Sequence, residues 1–157
     1  MEKQLTIRPP RKHDLIQWKP LWDAYCAFYE ATVPEEVTKM TWGRILDPEI
    51  PFMGAYVATD GEHGDLLGFA TWILHPATWS LGPRCYMEDL FVVPEERGQG
   101  IGKALIEVIV EQAKREKCGK VYWMTKADNA AARGLYDKLG KESGFVRYDV
   151  QLDPHDL

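Results

Sequence analysis

In "RGQGIGK", Arg97 to Lys103, three glycines stand at alternate positions and a lysine closes the run. Glycine lets main-chain N–H groups approach an anion closely, and at a helix start the unpaired first-turn amides and the helix dipole favour a phosphate. The flanking residues supply that setting: "MEDLFVVPEE" reads as a strand and turn, and "GIGKALIEVIVEQAK" as a helix. Two phosphate cradles fail on their own residues. A nucleoside-triphosphate loop needs glycine five positions before Gly102 and a hydroxyl after Lys103, where this chain has Arg97 and Ala104. A dinucleotide loop counted from Gly98 and Gly100 needs glycine where Lys103 stands. The remaining pattern is Arg-x-x-Gly-x-Gly, carried by Arg97, Gly100 and Gly102.

Upstream, Glu88 and Asp89 are adjacent carboxylates on the strand that feeds the loop. Strict alternation places Tyr86, Glu88 and Leu90 on one face and Met87, Asp89 and Phe91 on the other, so the two acids face apart. Downstream, Asn129 and Tyr136 lie seven residues apart, two turns along one face of a helix.

These residues must be positioned by the rest of the chain. "KQLTIRPP" reads as a strand ending near Arg8, and Trp18, Trp22, Tyr25 and Tyr29 share one face of a helix from about His13 to Glu30, which Pro20 kinks or splits. Pro34 and two glutamates open a second helix with Val37, Met40 and Ile45 on its stripe. "PFMGAYVATD", "GDLLGFATWILHP" and "RCYMEDLFVVP" are three successive antiparallel strands. A helix with Ile101, Leu105, Val108 and Ala113 on one stripe follows, then the short strand "GKVYWMT", the helix "NAAARGLYDKLG" and a last strand "GFVRYDVQL". The order β-α-α-β-β-β-α-β-α-β predicts an α/β fold: a mixed, mostly antiparallel central sheet flanked by about four helices.

Composition narrows the function. At 157 residues with 45% hydrophobic and 27% charged side chains, the expectation is one globular domain over residues 1–157. Cys26, Cys85 and Cys118 are isolated, and His13, His63, His75 and His155 lack ligand spacing, so neither a disulfide framework nor a metal is expected. The net charge of −5 is concentrated between residues 51 and 93, with five acidic side chains against one basic, which disfavours a nucleic-acid surface and suits a cationic ligand. No apolar run is long enough for a membrane span and no signal-like block follows the start, so a cytoplasmic location is expected.

The loop, together with "YMEDLFVVPEERGQGIG" before and within it, Asn129 and Tyr136 after it, and the element order, resembles the GCN5-related N-acetyltransferase (GNAT) superfamily. "CYMEDLFV" and "KVYWMTKADNAAARGLYDKLG" are most similar to the branch of polyamine, histone and D-amino-acid acetyltransferases. The chain departs from diamine acetyltransferases at "KADN", where a tryptophan commonly precedes the asparagine, and this leaves the amine acceptor open.

The resemblance implies acetyl-CoA as cosubstrate, no metal, and acetyl transfer to a primary amine by direct attack in a ternary complex. It implies that Leu90, Phe91 and Val92 pair with the pantetheine arm, that Arg97, Gly98, Gln99, Gly100, Ile101, Gly102 and Lys103 hold the pyrophosphate, and that Asn129 touches pantetheine. An alkyl ammonium near pKa 10.4 must lose its proton before attack, at a cost of roughly 4.6 kcal/mol at pH 7. The resemblance gives Glu88 that base role, commonly through water, and Tyr136 the role of acid toward the CoA thiolate. Tyr86, Trp22 and Tyr29, with Glu88, are the expected acceptor wall, with core packing the other reading of the aromatic face that carries Trp22 and Tyr29. A protein or histone lysine acetyltransferase and a non-catalytic acetyl-CoA-binding module remain alternatives. One strand-like run follows the last helix where the superfamily usually has two, so a homodimer in which a partner completes the sheet is expected.

Overall fold

Trp18, Trp22 and Cys26 fall on one stripe of a helix, and this stripe builds the first of two cores. In the computed structural model, which describes residues 3–152, that helix is α1, Leu15–Phe28, entered through a 3-10 turn at Lys12–Asp14. The ends of the expected 1–157 domain lie outside the described residues. Pro20 neither splits nor ends α1. Asp14 anchors the entry: its carboxylate accepts from Arg8 at 2.7 and 3.0 Å and from the Arg11 main chain at 2.6 Å while only 5% exposed.

The second helix, α2, spans Glu35–Leu46 after Pro34. Its buried stripe is Thr38, Trp42 and Ile45, whereas Val37 and Met40 of the expected stripe face solvent. A polar residue wins the inner position because Thr38 Oγ1 accepts the indole N–H of Trp22 at 3.0 Å.

The sheet runs β1 (Leu5–Arg8), β2 (Met53–Asp60), β3 (Leu66–His75), β4 (Arg84–Val92) and β5 (Lys120–Tyr122) in spatial order, antiparallel throughout except for the parallel β4–β5 pair. Helices α1 and α2 cover one face over Val57, Phe69 and Phe91. On the other face α3, Ile101–Arg115, buries Ile101, Leu105, Ile106, Ile109 and Ala113 against Ala70, Cys85 and Met87. Each fully buried large side chain such as Phe69 or Leu105 stabilises the fold by about 1.5–3 kcal/mol before the entropic cost of ordering it. The last helix, α4, spans Ala130–Leu139 and packs Leu135, Tyr136 and Leu139 onto this second core.

The expected final strand does not form. Residues 144–152 belong to none of the five strands, and Phe145, Val146, Tyr148, Val150 and Leu152 are all at least 76% exposed. Alternation alone makes a segment competent to pair; it does not provide the neighbouring edge.

Candidate active site

Strand β4 does not keep strict alternation. Thr71 of β3 lies opposite Asp89 and Trp72 lies opposite Met87, so Glu88 is an extra residue bulged out of the ladder. The bulge moves every later side chain to the other face. Cys85 and Met87 pack toward α3, and beyond the bulge Leu90 and Val92 do so, while Phe91 enters the core under α1. The expected partition of Tyr86, Glu88 and Leu90 against Met87, Asp89 and Phe91 is thereby overturned, and both acids stand close enough to influence each other.

Their environments drive them apart electrostatically. Asp89 is 9% exposed, and burial first, then the neighbouring Glu88 charge, pushes its carboxyl up to about 7. The Tyr25 and Thr71 hydroxyls nearby pull the other way without reaching hydrogen-bonding geometry, and Thr71 Oγ1 is a buried oxygen with no partner. Glu88 is exposed; its carboxyl is raised by desolvation and drawn back down by the Arg147 guanidinium. Burial thus holds the Asp89 proton far above the ordinary carboxylate range while Arg147 favours the charged form of the solvent-facing Glu88, a separation of the kind that suits one member of a pair to base work.

The Asp89 proton makes folding depend on pH. The unfolded chain releases it near 3.9 and the folded chain holds it to about 7, so folding takes up a proton between those values. This contribution is present below the window and is lost as pH rises through it, by roughly 4 kcal/mol at most. Asp89→Asn, which keeps a neutral side chain at every pH, is expected to raise the melting temperature at pH 8 and leave it nearly unchanged at pH 4. Thermal unfolding of both chains across that range checks this; an equal effect at both ends removes the buried proton.

Beyond the bulge β4 has an open side. Only Arg84, Cys85 and Tyr86 pair with β5, so from Met87 to Val92 one row of main-chain groups has no strand beside it among the described residues. Arg97 Nε donates to the Val92 carbonyl at 3.0 Å, and its guanidinium lies 5.6 Å above the Phe91 ring. The glycine loop follows a 3-10 turn at Pro94–Glu96. Gly98 and Gly100 have φ of 81° and 82°, a left-handed conformation in which a Cβ is strained, although nothing would touch one at either position. Arg97 to Gly100 are exposed, Gly100 caps α3, and Ile101 is buried at 4% and pins the helix start to the core. Gln99 donates to Glu96 at 3.2 Å and Lys103 lies 3.6 Å from Glu107, so the loop's open groups are chiefly main-chain amides. A Cβ on Gly102 would lie 3.5 Å from Leu135 and 3.9 Å from Val92, so the start of α3, α4 and the end of β4 lie side by side here.

On α4, Tyr136 is half-buried, with its ring edge-on to Trp123 at 5.5 Å. Burial, then the neighbouring Tyr29, pushes its hydroxyl up to about 12. Asn129 stands at the start of α4: its Oδ1 accepts the Ala132 N–H at 3.5 Å, and its Nδ2 donates to Thr125 at 3.0 Å.

Two site residues carried no sequence signal. Tyr122 stacks on Tyr86 at 4.8 Å, and its hydroxyl meets His75 Nε2 at 2.7 Å. His75 Nδ1 lies 2.8 Å from the Pro76 carbonyl, which can only accept, so in the neutral ring Nε2 accepts the hydrogen bond that the Tyr122 hydroxyl donates. The parallel register Tyr86↔Tyr122 creates this aromatic wall, and no local pattern reveals a register between distant segments. Tyr29 lies at the other rim, with Lys126 Nζ 6.0 Å above its ring. Trp22, expected on the acceptor wall, is instead 7% exposed and stacked on Trp18 at 5.2 Å in the core. A surface hollow of about 500 Å³ between Pro9, Ile45, Trp72 and Arg115 lies away from all these groups.

A strand bulged beside an open edge, with a glycine loop and helix start at its end, is an arrangement that can hold an extended, phosphate-bearing donor. The chain belongs to the acetyltransferase (GNAT) family, whose model matches residues 18–141, and it is an N-acetyltransferase. It is 33% identical over 145 residues to the D-amino-acid N-acetyltransferase HPA3 of Saccharomyces cerevisiae, covering 92% of this chain and 89% of that protein. A thialysine N-epsilon-acetyltransferase of Mus musculus is 34% identical over 100 residues, 60% of this chain and 58% of that one. Among solved structures, the aminoglycoside N-acetyltransferase AAC(6')-Iy in complex with CoA superposes with a TM-score of 0.81 at 19% identity, covering 96% of this chain and 97% of that one, a likeness of fold. The family uses acetyl-CoA, and the open β4 edge and exposed loop amides fit it. No cluster able to hold a metal occurs among the described residues, nor is any helix there long and apolar enough to cross a membrane.

Proposed function

We propose that this enzyme transfers the acetyl group of acetyl-CoA directly to a primary amine, small or peptidyl, in a ternary complex. The observation that carries the reading is the bulge at Glu88, which sets a charged carboxylate between the Tyr86–Tyr122 wall and the open edge of β4. Acetyl-CoA supplies the activated thioester. Leu90, Phe91 and Val92 offer main-chain groups to the pantetheine arm, and the amides from Gly98 to Lys103 take the pyrophosphate, with Arg97 shaping the turn. Asn129 serves this site by capping α4 and so aiming Tyr136.

Glu88 holds the ammonium and takes its proton, directly or through water, and its raised pKa makes it a better base than an ordinary glutamate. Tyr86, Tyr122 and Tyr29 present ring faces to the cation, an attraction that strengthens as water is excluded. Tyr136 donates a hydrogen bond to the departing thiolate. With its hydroxyl near 12 against a thiol near 8.5, complete transfer is uphill by roughly 5 kcal/mol, so hydrogen bonding rather than donation is its contribution.

The acceptor class is decided by thiol release from acetyl-CoA with a panel of D-amino acids, S-aminoethylcysteine (thialysine), spermidine and lysine peptides. The 33% identity to a D-amino-acid N-acetyltransferase favours a free amino acid, with the highest kcat/KM expected there. Faster turnover of lysine peptides reassigns the enzyme to proteins, and no thiol release with any amine makes it a binding module. The reading includes a homodimer, a second copy completing the sheet.

A further inference from the structure

Tyr86 and Tyr122 are the last residues paired between β4 and β5, and two residues further along each run stand Glu88 and Met124. Arg147, from the segment after α4, donates from Nη1 to Met124 Sδ at 3.4 Å and from Nη2 to Asp149 at 2.9 Å. The guanidinium therefore sits near the place where the two strands part, and its charge reaches both Tyr86 and Glu88. We propose that Arg147 binds the carboxylate of an α-amino-acid acceptor while Glu88 receives the amine of the same molecule, so that the enzyme selects free amino acids and acetylates their α-nitrogen. The inference deepens the proposed acetyl transfer to an amine and rests on it.

Glu88 and Arg147 influence each other's charge yet form no ion pair, so both keep binding capacity for a ligand set between them. In an α-amino acid the ammonium and the carboxylate hang from one carbon, and a zwitterion placed between an anion and a cation satisfies both ends. Arg147 also has donors to give. A guanidinium carries five N–H groups, and among the described residues its acceptors are one Asp149 oxygen and a thioether, a weak acceptor that a carboxylate outcompetes. Its side chain is 60% exposed and open to a ligand. The neighbouring cations are engaged elsewhere: Arg97 lies on the Val92 carbonyl and over Phe91, and Lys126 over the Tyr29 ring. Arginine's planar fork matches a carboxylate and fixes its orientation, whereas the same charge repels the second ammonium of a polyamine. A peptidyl lysine side chain brings no carboxylate beside its amine. In the reaction the bound ammonium gives one proton to Glu88 and its nitrogen forms the amide bond as the thioester C–S bond breaks. The thiolate leaves with the second proton as the CoA thiol.

The test reads the ratio of kcat/KM for the fastest amino acid of the panel to that for its own amide, which lacks the carboxylate. Arg147 also acts on Glu88, but that effect is common to both acceptors and drops out of the ratio. The wild-type ratio is expected to exceed about tenfold, and Arg147→Gln to lower it by about ten- to a hundredfold, the range for a lost hydrogen bond to a charged group. The loss is expected chiefly in KM for the amino acid, with KM for acetyl-CoA unchanged. Arg147→Glu is expected to turn the preference toward spermidine, whose second ammonium it attracts. Lys126→Gln is expected to leave the ratio as it is. With lysine as acceptor, fragmentation of the product in a mass spectrometer should find the acetyl group on the α-nitrogen. A wild-type ratio near one, a ratio that Arg147→Gln does not move, a collapse in Lys126→Gln instead, or an acetyl group on the ε-nitrogen overturns the inference and leaves amine acetylation standing. Absence of thiol release with every amine removes both.

Discussion

Glu88→Gln is expected to lower kcat/KM for the amine by about a hundredfold or more at pH 7, the scale of a lost general base. The deficit is expected to shrink as pH climbs toward the amine's own pKa near 10.4, because the free amine then needs no base. The amide is nearly isosteric and keeps an oxygen for the ammonium, so the KM for acetyl-CoA should hold. A pH–rate series on both enzymes checks this, and a deficit of equal size at every pH would reduce Glu88 to a positioning group.

Tyr136→Phe is expected to lower kcat by about ten- to a hundredfold, the range for losing a hydrogen bond to a charged atom, and to leave acetyl-CoA binding nearly unchanged. The ring remains to pack against Trp123, so the loss is confined to the hydroxyl. Single-turnover kinetics with titrated acetyl-CoA separates the two quantities. Unchanged turnover, or a loss confined to binding, takes Tyr136 out of the chemistry.

What could be read from the sequence was what neighbours along the chain decide. The loop at Arg97–Lys103 was legible because helix entry and glycine spacing are local, and the left-handed φ at Gly98 and Gly100 accounts for those glycines. The strands and helices were legible because their periods are local too. The bulge at Glu88 leaves no mark in the local pattern, since it exists only in the pairing of β4 with β3, and strict alternation therefore inverts the side-chain faces beyond it. Trp22 illustrates another limit: an aromatic stripe fits a pocket wall and a core equally well until Thr38 of another helix takes up its indole N–H. Tyr122 and His75 join the site through a parallel register and a cross-segment hydrogen bond, neither of which leaves a trace in neighbouring residues. The last alternating run predicts a strand that does not form, because a strand needs an edge as well as a period.

The unpaired row along β4 from Met87 to Val92 also bears on how long the protein lasts. On the proposed binding mode, the donor fills that row only in the folded chain, so it stabilises the fold by about 2.7 kcal/mol when present at a hundred times its dissociation constant. The enzyme's thermal lifetime then follows the supply of its own donor: abundant acetyl-CoA preserves the catalyst, and scarcity returns it to the unfolding and proteolysis its incomplete sheet permits.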